Sequence, residues 1–187
     1  ASGAFGLIPL LTGTLLITLI ALVISAPLGI GSALLTSQYL TEKQRQLVKP
    51  FFEILAGIPT VVYGFFALLL IGPFLQGVFH SHSPVVMSSE SALACGIVMG
   101  IMIIPLVGSV TDDVIAAVPA SMKDASYGMG ASKAETIFGV ILPAALPGIV
   151  SGFILAISRA IGETMIVVMA ASLSANLTFN PFEAVTT

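Results

Sequence analysis

The stretch SMKDASYGMGASKAETIFGVILP, residues 121–143, is a polar island between long apolar runs. Ser121-x-x-Asp124 and Ser132-x-x-Glu135 both fit the pattern in which a serine accepts from the backbone of the first helical turn and an acid reaches back to the serine's own N–H. They predict two short helices, about 122–129 and 133–142. Gly130 falls between them, where a left-handed residue closes the first helix without steric cost. Pro119 ends the preceding helix, and Pro143 and Pro147 bend the chain into the next apolar run. Two helices held at a fixed angle make a stiff elbow, and a stiff elbow transmits a push where a slack loop does not.

The rest of the chain explains what the elbow is attached to. Of 187 residues, 57% are hydrophobic and 8% charged, with mean hydropathy +1.10. Soluble domains carry about 25% charged residues, so this chain cannot cover a water-facing surface and its solvent is lipid. A membrane-crossing helix needs about 20 mostly apolar residues. Four stretches qualify, at about 7–35, 54–74, 91–110 and 146–171. Backbone polar groups must be satisfied internally in lipid, which calls for helices. The fold class is therefore all-α, a polytopic transmembrane helical bundle, read as a single domain over 1–187. The chain begins at Ala1 without a basic leader and is expected to be an excerpt of a longer membrane protein.

Basic residues orient the spans. Lys43, Arg45 and Lys49 lie between the first and second, and Lys123 and Lys133 between the third and fourth. The other connections carry no Lys or Arg. Cytoplasmic loops collect these residues, so 36–53 and the elbow at 111–145 are expected in the cytoplasm, with 75–90 and 172–187 outside. No Lys is followed by Ser or Thr, so the chain has no G-x-x-x-x-G-K-[ST] phosphate loop. Any ATP-Mg chemistry belongs to a separate chain. No cofactor, metal site or catalytic residue is expected, and nothing points to nucleic acid.

Arg159 and Glu163 lie inside the fourth apolar stretch, four apart on one helical face. A mid-membrane charge costs at least about 2.5–3.5 kcal/mol on insertion scales, so the pair faces a bundle interior or a wet path. Gly148, Gly152, Ala156 and Ala160 share that face, and small residues at this spacing let helices approach closely. Val150, Ile154, Ile157, Ile161, Met165 and Val168 lie opposite. Gly96 and Gly100 repeat the small-residue spacing in the third stretch. A guanidinium presents a planar fork suited to oxyanions. Its neighbouring carboxylate keeps the attraction modest, as a path that must release its cargo requires. Gly57 and Pro59 weaken the second stretch near its start, where Thr60 and Tyr63 offer hydroxyls.

Three motifs resemble one family. Asp124-Ala125-Ser126, then three residues, Gly130, nine residues, and Val140-Ile141-Leu142-Pro143 follow the spacing of the EAA loop of binding-protein-dependent (MetI-like) ABC-importer permeases, E-A-A-x3-G-x9-I-x-L-P. The run AGIPTVVYGF at 56–65 and the run SRAIGETM at 158–165 resemble segments of the Pst-type phosphate permeases, the C-type (PstC-like) subunit in particular. Sulfate and molybdate permeases have a similar R-A-L-G-E segment but usually continue with Phe-Gly. The resemblance implies a transport subunit rather than an enzyme. Its ATPase-coupling residues would be Asp124, Ala125, Ser126, Gly130, Leu142 and Pro143. Arg159, Glu163, Thr164 and Thr60 would lie on the translocation pathway. The implied partners are a second similar permease, two cytoplasmic ABC ATPase subunits and an extracytoplasmic phosphate-binding protein. The family usually has five or six spans against four here, so a preceding and a following helix are expected to be missing. A permease for another oxyanion is the nearest rival. An ion-coupled secondary transporter is the rival from another class, although the inverted repeats common there are not seen.

Remaining features carry less. Cys95 stands alone in an apolar run and reads as a small buried thiol. His80 and His82 lack the further ligands a metal needs. Asn176-Leu177-Thr178 matches a glycosylation sequon by chance. Asp112 and Asp113 read as caps of the cytoplasmic end of the third stretch or as the start of the next helix, and Glu53 as a boundary charge.

Overall fold

The structure, a computed structural model, describes residues 7–82, 91–171, 180 and 182, without the side chains of 7 and 79–82. Every regular element among them is helical. In chain order these are α1 (Leu7–Leu34), α2 (Glu42–Gly57), α3 (Thr60–Phe66), α4 (Gly72–His82), α5 (Ala92–Ala116), α6 (Ala120–Gly128), α7 (Lys133–Thr136), α8 (Leu142–Ile161) and α9 (Met165–Ala170). Wide π-helical turns extend α1 through Leu35–Tyr39, join α3 to α4 through Ala67–Ile71, and join α7 to α8 through Ile137–Ile141.

Four helical stretches are long and apolar enough to cross a membrane: Ile8–Tyr39, Thr60–Val78, Ala92–Ala116 and Lys133–Ile161. Their boundaries correct the sequence reading in three places. The second stretch starts at Thr60 rather than 54, because the chain kinks at Ile58-Pro59 and everything before belongs to the separate helix α2. The helix that carries the fourth stretch starts at Lys133, because the chain stays helical through Pro143. Leu142 N–H bonds back to Ile137 O, five residues away. This wider turn makes room before a ring that lacks an N–H and would crowd the carbonyl four residues back. The turn at Ala67–Ile71 precedes Pro73 in the same way, Gly72 N–H bonding to Ala67 O. The fourth stretch also ends at Ile161 rather than 171, since Gly162–Thr164 leave helical geometry before α9 begins. The connection expected at 75–90 is helical through His82, and 83–90 lies outside the described residues, as does most of the tail expected at 172–187.

The chain forms two compact units, one from 1–25, 57–103 and 157–187, the other from 26–56 and 104–156. In the first, α5 packs on α1 through its glycines. A Cβ at Gly96 would lie 2.6 Å from Ile20 Cγ2, and one at Gly100 3.1 Å from Ala21 O. Dispersion and close backbone approach hold helices together in lipid, so the small-residue spacing read in the third stretch is a packing seam. Cys95 is fully buried here. In the same unit α3 packs on α9, with Gly64 facing Met169, whose Sδ would be 2.9 Å from an added Cβ.

The second unit has its core in Ala33, Ile115, Val118, Ile137, Ile141, Ala145 and Ile149. These come from the end of α1, the end of α5, the π turn after α7, and α8. Gly148 and Gly152 face Val114 and Val110 of α5. The small residues of α8 are packed as expected, but Arg159, expected on the same packed face, is exposed, as are Val150, Ile154 and Ile161 on the other side. Helix α2 has no buried residue.

Candidate functional site

The elbow follows its sequence signals at the second helix and departs from them at the first. Ser132 Oγ accepts from Glu135 N–H at 3.3 Å, and Glu135 Oε2 accepts from Ser132 N–H at 2.7 Å, a complete capping box. Those bonds hold the Glu135 carboxyl below the usual carboxylate range, the Ser132 backbone N–H contributing most. At the first helix no such box forms. α6 begins at Ala120, with Pro119 as its cap and no side-chain bond, which places Ser121 inside the first turn. The close of α6 is tightly specified. Gly130 has φ +85°, Gly130 N–H bonds Tyr127 O at 2.9 Å, and Ala131 N–H bonds Ser126 O at 3.2 Å. That pair of bonds is the Schellman closure, which needs a left-handed residue at this position.

Ser126 gives the elbow a cross-tie. Its Oγ lies 2.9 Å from the Oγ1 of fully buried Thr136. The serine stands where the EAA spacing has a second alanine, and here its hydroxyl joins the two helices. Lys133 Nζ sits 4.5 Å from the centre of the Tyr39 ring, in the π turn after α1, a cation–π contact. Ile137 and Ile141 anchor the elbow in the core of the second unit, with Ile115 from α5 and Val118 just after it. Of the expected coupling residues, Asp124, Ala125, Gly130 and Pro143 are exposed, while Ser126 and Leu142 are half-buried. The elbow thus presents a free outer edge and a fixed root.

The sequence reading missed Asp112. It is not a helix-end cap but a buried acceptor in the second unit. Its Oδ1 accepts from Thr36 Oγ1 at 3.2 Å and its Oδ2 from Arg45 Nη2 at 2.7 Å, with Lys49 Nζ at 3.5 Å. The bond to Asp112 raises the already high pKa of Arg45, so the guanidinium stays charged. One carboxylate therefore ties the end of α1, the basic face of α2 and the last turns of α5, whose final residues support the elbow. An acid inside an apolar run, with unpaired basic residues in the preceding connection, was the available signal. Asp113 is exposed and 4.0 Å from Lys49.

The expected pathway residues lie in the first unit. Arg159 is exposed near the end of α8 and within electrostatic reach of buried Tyr63 in α3. Glu163 does not continue the helical face of Arg159, because the helix stops between them. The ion pairs among the described residues all fall on Asp112 or Asp113, so Arg159 and Glu163 are not one of them. Glu163 Oε1 instead accepts from Ile166 N–H at 3.4 Å, and the side chain lines a cleft with Thr14 and Thr18 of α1. Thr164 is exposed in the break. Thr60 opens α3 directly after the extended Pro59. The packing of α3 on α9 brings the segments 56–65 and 158–165 into neighbouring elements. Among the described residues no group of three His, Cys, Asp or Glu could hold a metal ion.

A profile described as "Binding-protein-dependent transport system inner membrane component" matches residues 25–183. The chain belongs to this family. As a member of the binding-protein-dependent inner membrane components it is a multi-pass membrane protein, in keeping with its four apolar stretches. It is 34% identical over 179 residues to the probable ABC transporter permease protein YqgH of Bacillus subtilis (strain 168), covering 96% of this chain and 56% of that one. It is 33% identical over 180 residues to the phosphate transport system permease protein PstC of Mesorhizobium japonicum, covering 87% and 54%. The chain thus spans about half the length of the curated relatives it matches. The fold matches a solved structure of the MetNI methionine ABC transporter in inward-facing conformations. Its TM-score is 0.67 at 20% identity, over 89% of this chain and 74% of that one. Among these inner membrane components the likeness to MetNI concerns the fold alone.

Proposed function

We propose that this chain is the membrane-spanning core of a permease subunit in an ATP-driven importer of inorganic phosphate. The observation that carries the reading is the elbow. It is closed at Gly130, cross-tied at Ser126–Thr136 and rooted in the core formed with α5. Such a part moves as one piece when a partner presses its exposed edge at Asp124 and Ala125. Two ATPase subunits on the cytoplasmic side would supply that push. A second permease would complete the path, and an extracytoplasmic phosphate-binding protein would deliver cargo. Family membership supports this assembly, and the names of relatives such as the Mesorhizobium protein support phosphate over other oxyanions.

On this reading Arg159 attracts the oxyanion in transit. Its exposure on α8 leaves the guanidinium fork open to two oxygens. Glu163, unpaired with it, lowers the local positive potential without occupying the fork, so binding stays weak enough for release. The test is uptake of labelled phosphate by the whole protein in a strain lacking its own importer. Sulfate and molybdate serve as competitors, and Arg159→Gln is run alongside. Uptake should be displaced by unlabelled phosphate alone, and Arg159→Gln should abolish it while the complex still assembles and hydrolyses ATP. Wild-type uptake by Arg159→Gln removes the role of Arg159. Displacement by sulfate or molybdate makes this a permease for that ion.

A further inference from the structure

The first unit holds a cleft that the transport reading touches only through Glu163. Its walls are Thr14, Ile17 and Thr18 of α1, Met99 of α5, Ala160 and Ile161 at the end of α8, Glu163 in the break, and Val167 of α9. The space admits a guest about the size of one water molecule, which is too small for a tetrahedral oxyanion.

The polar groups in it are unusual for a lipid-facing bundle. Thr12 and Thr14 spend their hydroxyl protons on carbonyls of the preceding turn, Thr14 on Leu10 O at 2.9 Å. Thr18, one turn further on, does not. Its Oγ1 is buried with no partner, and the residue is 5% exposed. A buried hydroxyl left without a bond is destabilising. Beside it stands a carboxylate with no cationic side chain among the lining residues. Glu163 gives one oxygen to a long bond from Ile166 N–H, which leaves the other available. The end of α8 adds the negative pole of a 20-residue helix to the same place.

Except for the Ile166 N–H at the start of α9, which faces one oxygen of Glu163, these terms have one sign. A carboxylate, two hydroxyl oxygens, a helix C-terminus and a break in the backbone favour a small hard cation and disfavour an anion. Interrupted membrane helices hold Na⁺ with such donors, using unwound backbone and half-helix C-terminal ends. We infer that Glu163, Thr18 and Thr14 form a binding site for one monovalent cation, Na⁺, between α1 and the α8–α9 break. The ion offsets part of the Glu163 charge and is coordinated by the Thr18 hydroxyl oxygen. By fixing the break against α1 it also sets where Arg159 stands. The inference rests on the geometry of this unit alone and stands apart from the identity of the transported substrate.

The test uses the full-length permease purified with its partner subunits, and sodium NMR line broadening as the probe. Saturable broadening reversed by Li⁺ but not by choline is expected. Thr18→Val should weaken it by about tenfold or more, Thr18→Ser should restore it, and Glu163→Gln should remove it. Broadening that is absent in the wild type, or equal in wild type and Thr18→Val, overturns the inference. So does an infrared band of a protonated carboxyl that persists in saturating Na⁺ and disappears in Glu163→Gln. Phosphate uptake is read separately. Uptake without Na⁺ binding discards the cation site and leaves the transport reading standing; Na⁺ binding without phosphate uptake does the reverse.

Discussion

Asp112 Oδ2 accepts a hydrogen bond from Arg45 Nη2 at 2.7 Å, with 5% of the Asp112 side chain exposed and 24% of that of Arg45. The contact joins residues far apart in sequence. It makes α2 and the last turns of α5 a single mechanical element, and those last turns support the elbow. Asp112 is buried but Arg45 is partly exposed, and Lys49 stays 3.5 Å from the carboxylate, so removing Arg45 costs less than the ~3–5 kcal/mol of a fully buried pair. Arg45→Met should still lower the thermal stability of the solubilised protein measurably. Arg45→Met with Asp112→Leu should recover much of the loss. A double variant as unstable as the sum of the singles means that the two residues do not act as a pair.

Gly130 is the hinge pin of the elbow. An added Cβ would meet nothing within 4 Å, and φ is +85°, so any cost of substitution is backbone strain and not a clash. Gly130→Ala should destabilise the elbow by about 1–2 kcal/mol, and Gly130→Asn by less. On the proposed function, both should weaken the coupling of ATP hydrolysis to uptake in that order. Equal uptake and equal local hydrogen exchange in Gly130→Ala would show that the left-handed closure is dispensable.

Ser126→Ala restores the residue that the EAA spacing carries, yet it should be destabilising here. It removes the partner of Thr136, which is fully buried. The expected loss is about 1–3 kcal/mol for the stranded hydroxyl. Ser126→Ala with Thr136→Val should be closer to wild type than Ser126→Ala alone, as read by thermal unfolding.

Glu135 makes the elbow sensitive to acid. Its folded pKa is depressed by the bonds from Ser132, against about 4.3 for an unperturbed glutamate. The stabilisation is thus complete above that value and lost as pH falls through the lower folded pKa. Protection of the amides of 132–136, corrected for intrinsic exchange, should be constant at neutral pH and fall below about pH 4. Glu135→Gln should flatten that dependence, because its acceptor does not titrate.

The membrane class, the four long apolar stretches among the described residues and the second helix of the elbow were legible because they rest on local signals. Apolar run length, the Ser132–Glu135 box and Gly130 act through their immediate neighbours. The small face of α8 was legible for a similar reason, since helical period alone sorts Gly148, Gly152, Ala156 and Ala160 from Ile154 and Ile161. What failed depended on partners distant in sequence or on competition between local rules. Asp112 looks like a terminal cap until Thr36 and Arg45 are folded against it. Ser121 fits the capping pattern, but Pro119 sets the helix start first. Arg159 and Glu163 share a face in a continuous helix, and the break at Gly162 separates them. Pro143 stays inside a helical stretch, where a widened turn supplies the room that a strict α-helix lacks.

That widened turn has a geometric result for the whole of the chain's last long helix. Ile137, Ile141, Ala145 and Ile149 all enter one core at steps of four. In a straight α-helix each such step overshoots a full revolution by about 40°, and three steps would carry the row well around the cylinder. The surplus residue held at Ile137–Ile141 winds part of that drift back, so the row stays aimed at its neighbours from the elbow into the bilayer. Pro143, by imposing the wide turn, acts as the phase-setter that lets the row from Ile137 to Ile149 keep one bearing.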